Sequence, residues 1–183
     1  MKSCLTVLKN GGIILYPTDT IWGIGCDATN PLSVQKIFDI KSREEGKSLL
    51  ILVNGPDMLE RYVKELPHSA VELINVSEDP LTIIYPHGRN LAEGVCAPDG
   101  SVGIRICYDD FCSELISRFR KPIVSTSANT SGKPSPSHYG EIEEGIISAV
   151  DYVVSYRRED REKHKASPVI KVENDGTFRI IRK

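Results

Sequence analysis

The sequence predicts a mixed α/β or α+β domain, and three observations carry the prediction. Short apolar runs that suit strands recur along the chain, and helical patterns lie between several of them. Their mixture argues for a mixed sheet without fixing its strand order. The length of 183 residues and the 40% hydrophobic content are enough for one well-cored domain and short for two, so residues 1–183 are expected to form a single domain.

In chain order the predicted strands are "GIILYP" (12–17), "SLLILV" (48–53), "LTIIYP" (81–86), "SVGIRI" (101–106), "KPIVST" (121–126), "DYVVSY" (151–156) and "PVIKVE" (168–173). After the first of these, Asn30 and Pro31 supply an N-cap and a first helical position for a helix with Val34, Ile37 and Phe38 on one face. A second helix is expected over Asp109 to Arg120, where Phe111, Leu115, Ile116 and Phe119 recur at helical spacing behind acidic residues. Two stretches are loop-like: "TSGKPSPSH" (130–138), rich in Ser, Pro and Gly, and "RREDREKHK" (157–165), either a flap or a solvated turn.

Composition narrows the function. A formal charge of −2 argues against a globally basic nucleic-acid coat, so any anion site must be local. The five cysteines (Cys4, Cys26, Cys96, Cys107, Cys112) are scattered without a C-x-x-C pair, which supports neither a zinc site nor a redox pair and suits a reducing compartment. The N-terminal apolar run breaks at Lys9-Asn10-Gly11-Gly12, and no run approaches the ~18 residues of a membrane span. The expectation is a cytoplasmic protein with no membrane partner.

Neither a P-loop nor a dinucleotide fingerprint is present, so side chains would have to hold any phosphate charge. Lys41, Arg43 and Lys47 crowd the approach to the strand at 48–53, where an Arg fork and mobile Lys charges suit phosphate oxygens. The alternative is a polar helix-to-strand turn. "PTDTIWGIGCD" (17–27) sets hydroxyls where a strand ends, with a plain turn as its alternative, and Trp22 reads as a packing residue. In "IVSTSANTSGKPSPS" (123–137), Ser125, Ser127, Asn129 and Ser135 can converge on a ligand. A serine nucleophile is unsupported: there is no G-x-S-x-G elbow, and none of His68, His87, His138 and His164 stands in a triad context.

Taken in order, "YPTDTIWGIGCDA", "IKSREEGKSL", "SVGIRI" and "STSANTSGKPSPS" resemble the signature of the YrdC/YciO family, over about residues 5–182. The resemblance implies an open, twisted, YrdC-like mixed sheet with flanking helices and a basic cavity. It also implies the family's synthase reaction, in which L-threonine, bicarbonate and ATP give threonylcarbamoyl-adenylate and pyrophosphate, with Mg2+ arriving with ATP and no metal held by the protein. The product would pass to a tRNA threonylcarbamoyl-transferase complex acting at adenosine 37. Carried over by position, Lys41 and Arg43 are the implied catalytic cations, and Lys41, Arg43, Lys47, Ser101, Ser127, Asn129, Ser135 and Arg182 the implied ATP contacts. Thr20, Arg105, Ser125 and Ser167 are the implied L-threonine contacts.

The sequence departs from the family pattern at Leu52, where many relatives have histidine, and at Ser167-Pro168-Val169-Ile170, where they have S-T-V-V. Ending at Lys183, it resembles the short form without an extra C-terminal domain. The intact K-x-R and S-A-N motifs favour the synthase branch; the alternatives are a YciO-like paralogue acting on another amine and an RNA-binding module with the same basic cavity.

Overall fold

The computed structural model describes residues 1–42 and 48–183. The mixed α/β expectation holds, with strands divided between two sheets. The smaller contains β1 (Ile14–Tyr16), β2 (Gly23–Gly25), β7 (Thr126–Ser127) and β8 (Tyr152–Val153) in the order β7-β2-β1-β8. The larger contains β3 (Leu50–Val53), β4 (Thr82–Tyr85), β5 (Val102–Ile106), β6 (Ile123–Val124), β9 (Val169–Val172) and β10 (Phe178–Arg182) in the order β10-β9-β4-β5-β3-β6. Both sheets are mixed: β1 runs antiparallel to β2 and parallel to β8, while β5 is parallel to β3 and antiparallel to β4.

One stretch explains why an apolar run anticipated as a single strand serves two sheets. Ile123–Val124 pairs with β3, and two residues later Thr126–Ser127 pairs with β2, so the chain leaves one sheet and enters the other at Ser125. The hydrophobic pattern of "KPIVST" marks a buried extended segment and says nothing of which neighbour each half pairs with. β2 was anticipated only as part of a turn, because its Gly-Ile-Gly carries one apolar side chain.

The helices cover the sheets. α1 (Lys2–Lys9) contacts β1 and α5 (Asp110–Phe119), and α3 (Pro56–Leu59) contacts β3 and β5. α2 (Pro31–Lys41) begins as anticipated: the Asn30 side chain accepts from the amides of Leu32 and Ser33, and Val34, Ile37 and Phe38 are buried. In α5, Asp109 accepts from the Cys112 amide, and Leu115, Ile116 and Phe119 are buried. α4 (His68–Val76) and α6 (Glu144–Ala149) complete the set among the described residues. A continuous core joins both sheets, from Ile14 and Ile24 to Ile51 and Ile104, and no described helix is long and apolar enough to cross a membrane. All five cysteines are unpaired thiols.

The small sheet packs against the crossing strand closely enough to demand glycine at one position. A Cβ on Gly25 would lie 2.5 Å from the Val124 carbonyl oxygen and 2.7 Å from a Tyr16 ring carbon. Gly25→Ala is therefore expected to lower the unfolding free energy by about 2 kcal/mol, as overpacking against backbone does. Gly55→Ala, where a Cβ meets nothing within 4 Å, should change it by less than about 0.5 kcal/mol in the same urea titration.

Candidate active site

Alternation along two neighbouring strands sets the floor of the candidate site. Thr82 and Ile84 of β4, with Gly103 and Arg105 of β5, point to one face, where a cavity of about 330 Å³ opens. Around this floor stand Thr18 and Thr20 after β1, Ser125 to Ser127 at the crossing between sheets, and Ser135, Ser167 and Arg182. Hydroxyls dominate this rim. Two guanidiniums and no carboxylate belong to the described lining, so the cavity is locally basic in a chain whose net charge is −2.

Arg105 is 3% exposed, and a buried cation needs partners on every side it can reach. Its Nη2 lies 2.8 Å from Asp19 Oδ1, an ion pair whose angle falls short of a hydrogen bond, and 3.4 Å from Thr18 Oγ1, to which it donates. Its Nη1 donates to Ser167 Oγ at 3.2 Å, while its Nε has no hydrogen-bond partner. Ser167 is a junction: its hydroxyl also shares a 2.8 Å bond with Thr82, and its carbonyl accepts both Arg182 Nε at 3.1 Å and Nη2 at 2.7 Å. Two cations thus meet at one serine. Partial burial, and secondarily the charge of Arg105, lower the pKa of Arg182, and Arg182 makes no ion pair among the described residues. An arriving anion would relieve that repulsion.

The first of the anticipated phosphate cations does not line the cavity and is turned toward backbone carbonyls. Lys41 is 1% exposed at the end of α2, and its ammonium donates to the carbonyls of Ser127 at 2.5 Å and Asn129 at 2.6 Å. The Ser131 amide donates back to the Lys41 carbonyl at 2.8 Å, so helix and S-A-N loop are tied in both directions. Asn129 then shapes the loop, its amide nitrogen donating to the Thr130 and Lys133 carbonyls. Arg43 and Lys47 lie outside the described residues.

The structure brings Thr20, Arg105, Ser125, Ser127, Ser135, Ser167 and Arg182 to one cavity. Ser101 does not line it: it stands just before β5, where its amide and hydroxyl donate to Asp99 Oδ1 at 2.9 and 2.6 Å. Asn129 stands behind the lining, holding Lys41. The sequence marks Thr18 and Asp19 only as polar groups at a strand end within 17–27, without assigning them a partner, and does not single out Thr82. The available signal for Thr82 was a polar side chain alternating with Ile84 in an apolar strand. Leu52, fully buried, pairs in register with Arg105 on β5 and shares the parity of Leu50, which lines the cavity. Trp22 is buried and packs at 4.9 Å on Tyr139.

The charged stretch 157–165 is tethered to the cavity wall. Arg157 donates to the Thr18 carbonyl at 3.3 Å and pairs with Asp160, while Arg158 donates to the carbonyls of Val153 and Val154. Asp160, Glu162 and His164 gather closely enough to suggest a cation site, yet the Arg157 guanidinium already stands 3.3 Å from Asp160 and 3.5 Å from His164.

With this geometry in view, the chain's kinship is plain. A strand-crossed pair of mixed sheets around a hydroxyl-rich basic cavity defines a YrdC-like domain. The chain belongs to the Sua5/YciO/YrdC family, whose model, described as "Telomere recombination", matches residues 6–183. It is 35% identical over 185 residues to a Methanocaldococcus jannaschii protein provisionally named threonylcarbamoyl-AMP synthase, covering 98% of this chain and 85% of that one. It is 29% identical over 165 residues to the threonylcarbamoyl-AMP synthase of Vibrio parahaemolyticus, covering 88% and 89%. Its fold matches that of P. abyssi Sua5 complexed with L-threonine at a TM-score of 0.85 and 24% identity, over 99% of this chain and 53% of that one, so it spans about half of that protein.

Two expectations follow for the site. Asp19→Asn leaves the buried Arg105 charge without its counter-ion and should destabilise the protein by about 3 kcal/mol in chemical denaturation. Asp99, whose pKa the Ser101 hydroxyl and then the Ser101 amide pull from 3.8 down to about 2, adds stability that is complete above its ordinary value and lost as pH falls toward 2. Ser101→Ala removes the larger cause, and an NMR titration should show Asp99 moving upward toward 3.8.

Proposed function

We propose that this protein is a threonylcarbamoyl-AMP synthase, forming threonylcarbamoyl-adenylate and pyrophosphate from L-threonine, bicarbonate and ATP, and that residues 1–183 act as one YrdC-like unit. The observation that carries the reading is the pairing of two guanidiniums, Arg105 and Arg182, on Ser167 in a cavity whose described lining holds no carboxylate. The names of the two relatives above support it.

The reaction brings two anions together. The amine of threonine combines with bicarbonate, losing water, to give a carbamate, and a carbamate oxygen then attacks the α-phosphorus as pyrophosphate leaves. No protein nucleophile is required. The protein's work is positioning and charge screening. In this reading Arg105 holds the amino-acid carboxylate from the buried side with Thr20, Ser125 and Ser167 around the substrate. ATP lies toward Ser127, Ser135 and Arg182, with Ser101 and Asn129 beyond. Lys41 keeps the S-A-N loop in place, and by the family resemblance Arg43 and Lys47 take the phosphates. A magnesium ion supplies charge neutralisation when it travels with ATP, but the described cavity lining offers it no carboxylate, so the protein is not proposed as its holder.

The unpaired thiols support a reducing compartment, for which we propose the cytoplasm. The adenylate would be handed to a tRNA-modifying complex. One observation favours a second reading: Leu52, apolar and in register with Arg105, stands where many family members have a histidine near threonine, which leaves room for a paralogue using another amine.

Pyrophosphate release from ATP with magnesium and bicarbonate, compared for L-threonine, L-serine and no amino acid, tests the assignment. Release should require threonine and bicarbonate together; nucleotide or RNA binding without release would overturn it. Arg105→Ala should raise the KM for threonine roughly tenfold or more, the size expected for a lost charged hydrogen bond, with a smaller change in the KM for ATP.

A further inference from the structure

The strands that floor the basic cavity also floor a second one from their other side. Where Thr82, Ile84, Gly103 and Arg105 face the first, Ile83, Tyr85, Ile104 and Ile106 face a space of about 130 Å³, with Ile74 and Leu81 also in its lining. The rim is different in kind. Asp19, Glu78, Asp79 and Asp109 border the space together with Tyr108, which is 69% exposed, and the described lining has no lysine or arginine. Two of these carboxylates are already engaged: Asp19 faces Arg105, and Asp109 caps α5 with its other oxygen 3.9 Å from Arg157. Glu78 and Asp79 are exposed and make no ion pair among the described residues.

We infer that this reverse-face cavity receives a lysine or arginine side chain of a partner polypeptide, its methylene stem on the isoleucine floor and its cation at Glu78 and Asp79. An aliphatic floor under a carboxylate rim matches the division within those two side chains, which bury their stems and keep their charge at the edge. The volume suits one long side chain and falls short of the roughly 300 Å³ or more of a typical small-molecule site. A divalent metal ion is a poor occupant, because it needs oxygen ligands on several sides and the floor offers hydrocarbon. Tyr108 adds a ring face of the type cations favour. Val76, 75% exposed and next to the lining Ser77, extends the apolar surface beyond what one side chain covers, which fits a polypeptide better than a free polyamine.

The test uses the full chain with isoleucine methyls labelled and follows them by NMR during titration with acetyl-Gly-Arg-Gly-amide, its lysine and norleucine counterparts, and spermidine. The arginine and lysine peptides should shift the methyls of Ile83, Ile104 and Ile106 and leave Ile51 of β3 in place. Glu78→Gln combined with Asp79→Asn, both at exposed positions, should weaken that binding about fivefold, the scale of two exposed charge contacts. Equal shifts from the norleucine peptide, shifts from spermidine without any from the two basic peptides, undiminished binding by the double variant, or no shifts at these methyls would each overturn the inference.

Discussion

The site depends on keeping a charged guanidinium inside a sheet. Arg105 sits within β5, next to its last residue, with almost no solvent contact, and a lone ion there would be strongly disfavoured. Its neighbours answer that constraint from three directions: Asp19 supplies the counter-charge, Thr18 an acceptor on the same nitrogen, and Ser167 an acceptor on the other. Thr18 and Asp19 are neighbours in the turn after β1, whereas Ser167 comes from a distant part of the chain. Much of the polar architecture around the cavity, including the placement of Arg182 on the Ser167 carbonyl, extends from this one arrangement.

A second tie holds the S-A-N side of the cavity. The ammonium of Lys41 fastens the end of α2 to the backbone of the S-A-N segment, close to where the chain has crossed from the larger sheet to the smaller. A buried lysine bonded to carbonyls is a rigid joint, since breaking it strands both a cation and its acceptors. The loop carrying Ser127 and Asn129 is thereby set relative to the cavity before any ligand arrives. Such preorganisation suits a reaction whose difficulty lies in holding two anions in register.

The two strands at the centre serve two surfaces. Because side chains alternate, the residues between Thr82, Ile84, Gly103 and Arg105 are the isoleucines and tyrosine that floor the reverse cavity, and Asp19 borders that cavity while pairing with Arg105. A strand buried on both faces ordinarily reads as continuously apolar. β5 is buried along its whole length yet reads Val-Gly-Ile-Arg-Ile, and its one charge marks the face that carries the polar site.

Much of this was legible in the residues alone. Seven apolar runs located strands, Asn30-Pro31 and Asp109 located two helix starts, and the ordered motifs brought together Thr20, Arg105, Ser125, Ser127, Ser135, Ser167 and Arg182, which do meet in one cavity. These features are local: caps, periodicity and motif spacing act within a few residues of chain. What only the tertiary structure decided is non-local. The division into two sheets at Ser125, the turning of Lys41 toward backbone carbonyls, and the choice of Asp19 as the partner of Arg105 depend on segments tens of residues apart, whose meeting is set by burying a shared core and satisfying the charges trapped beside it.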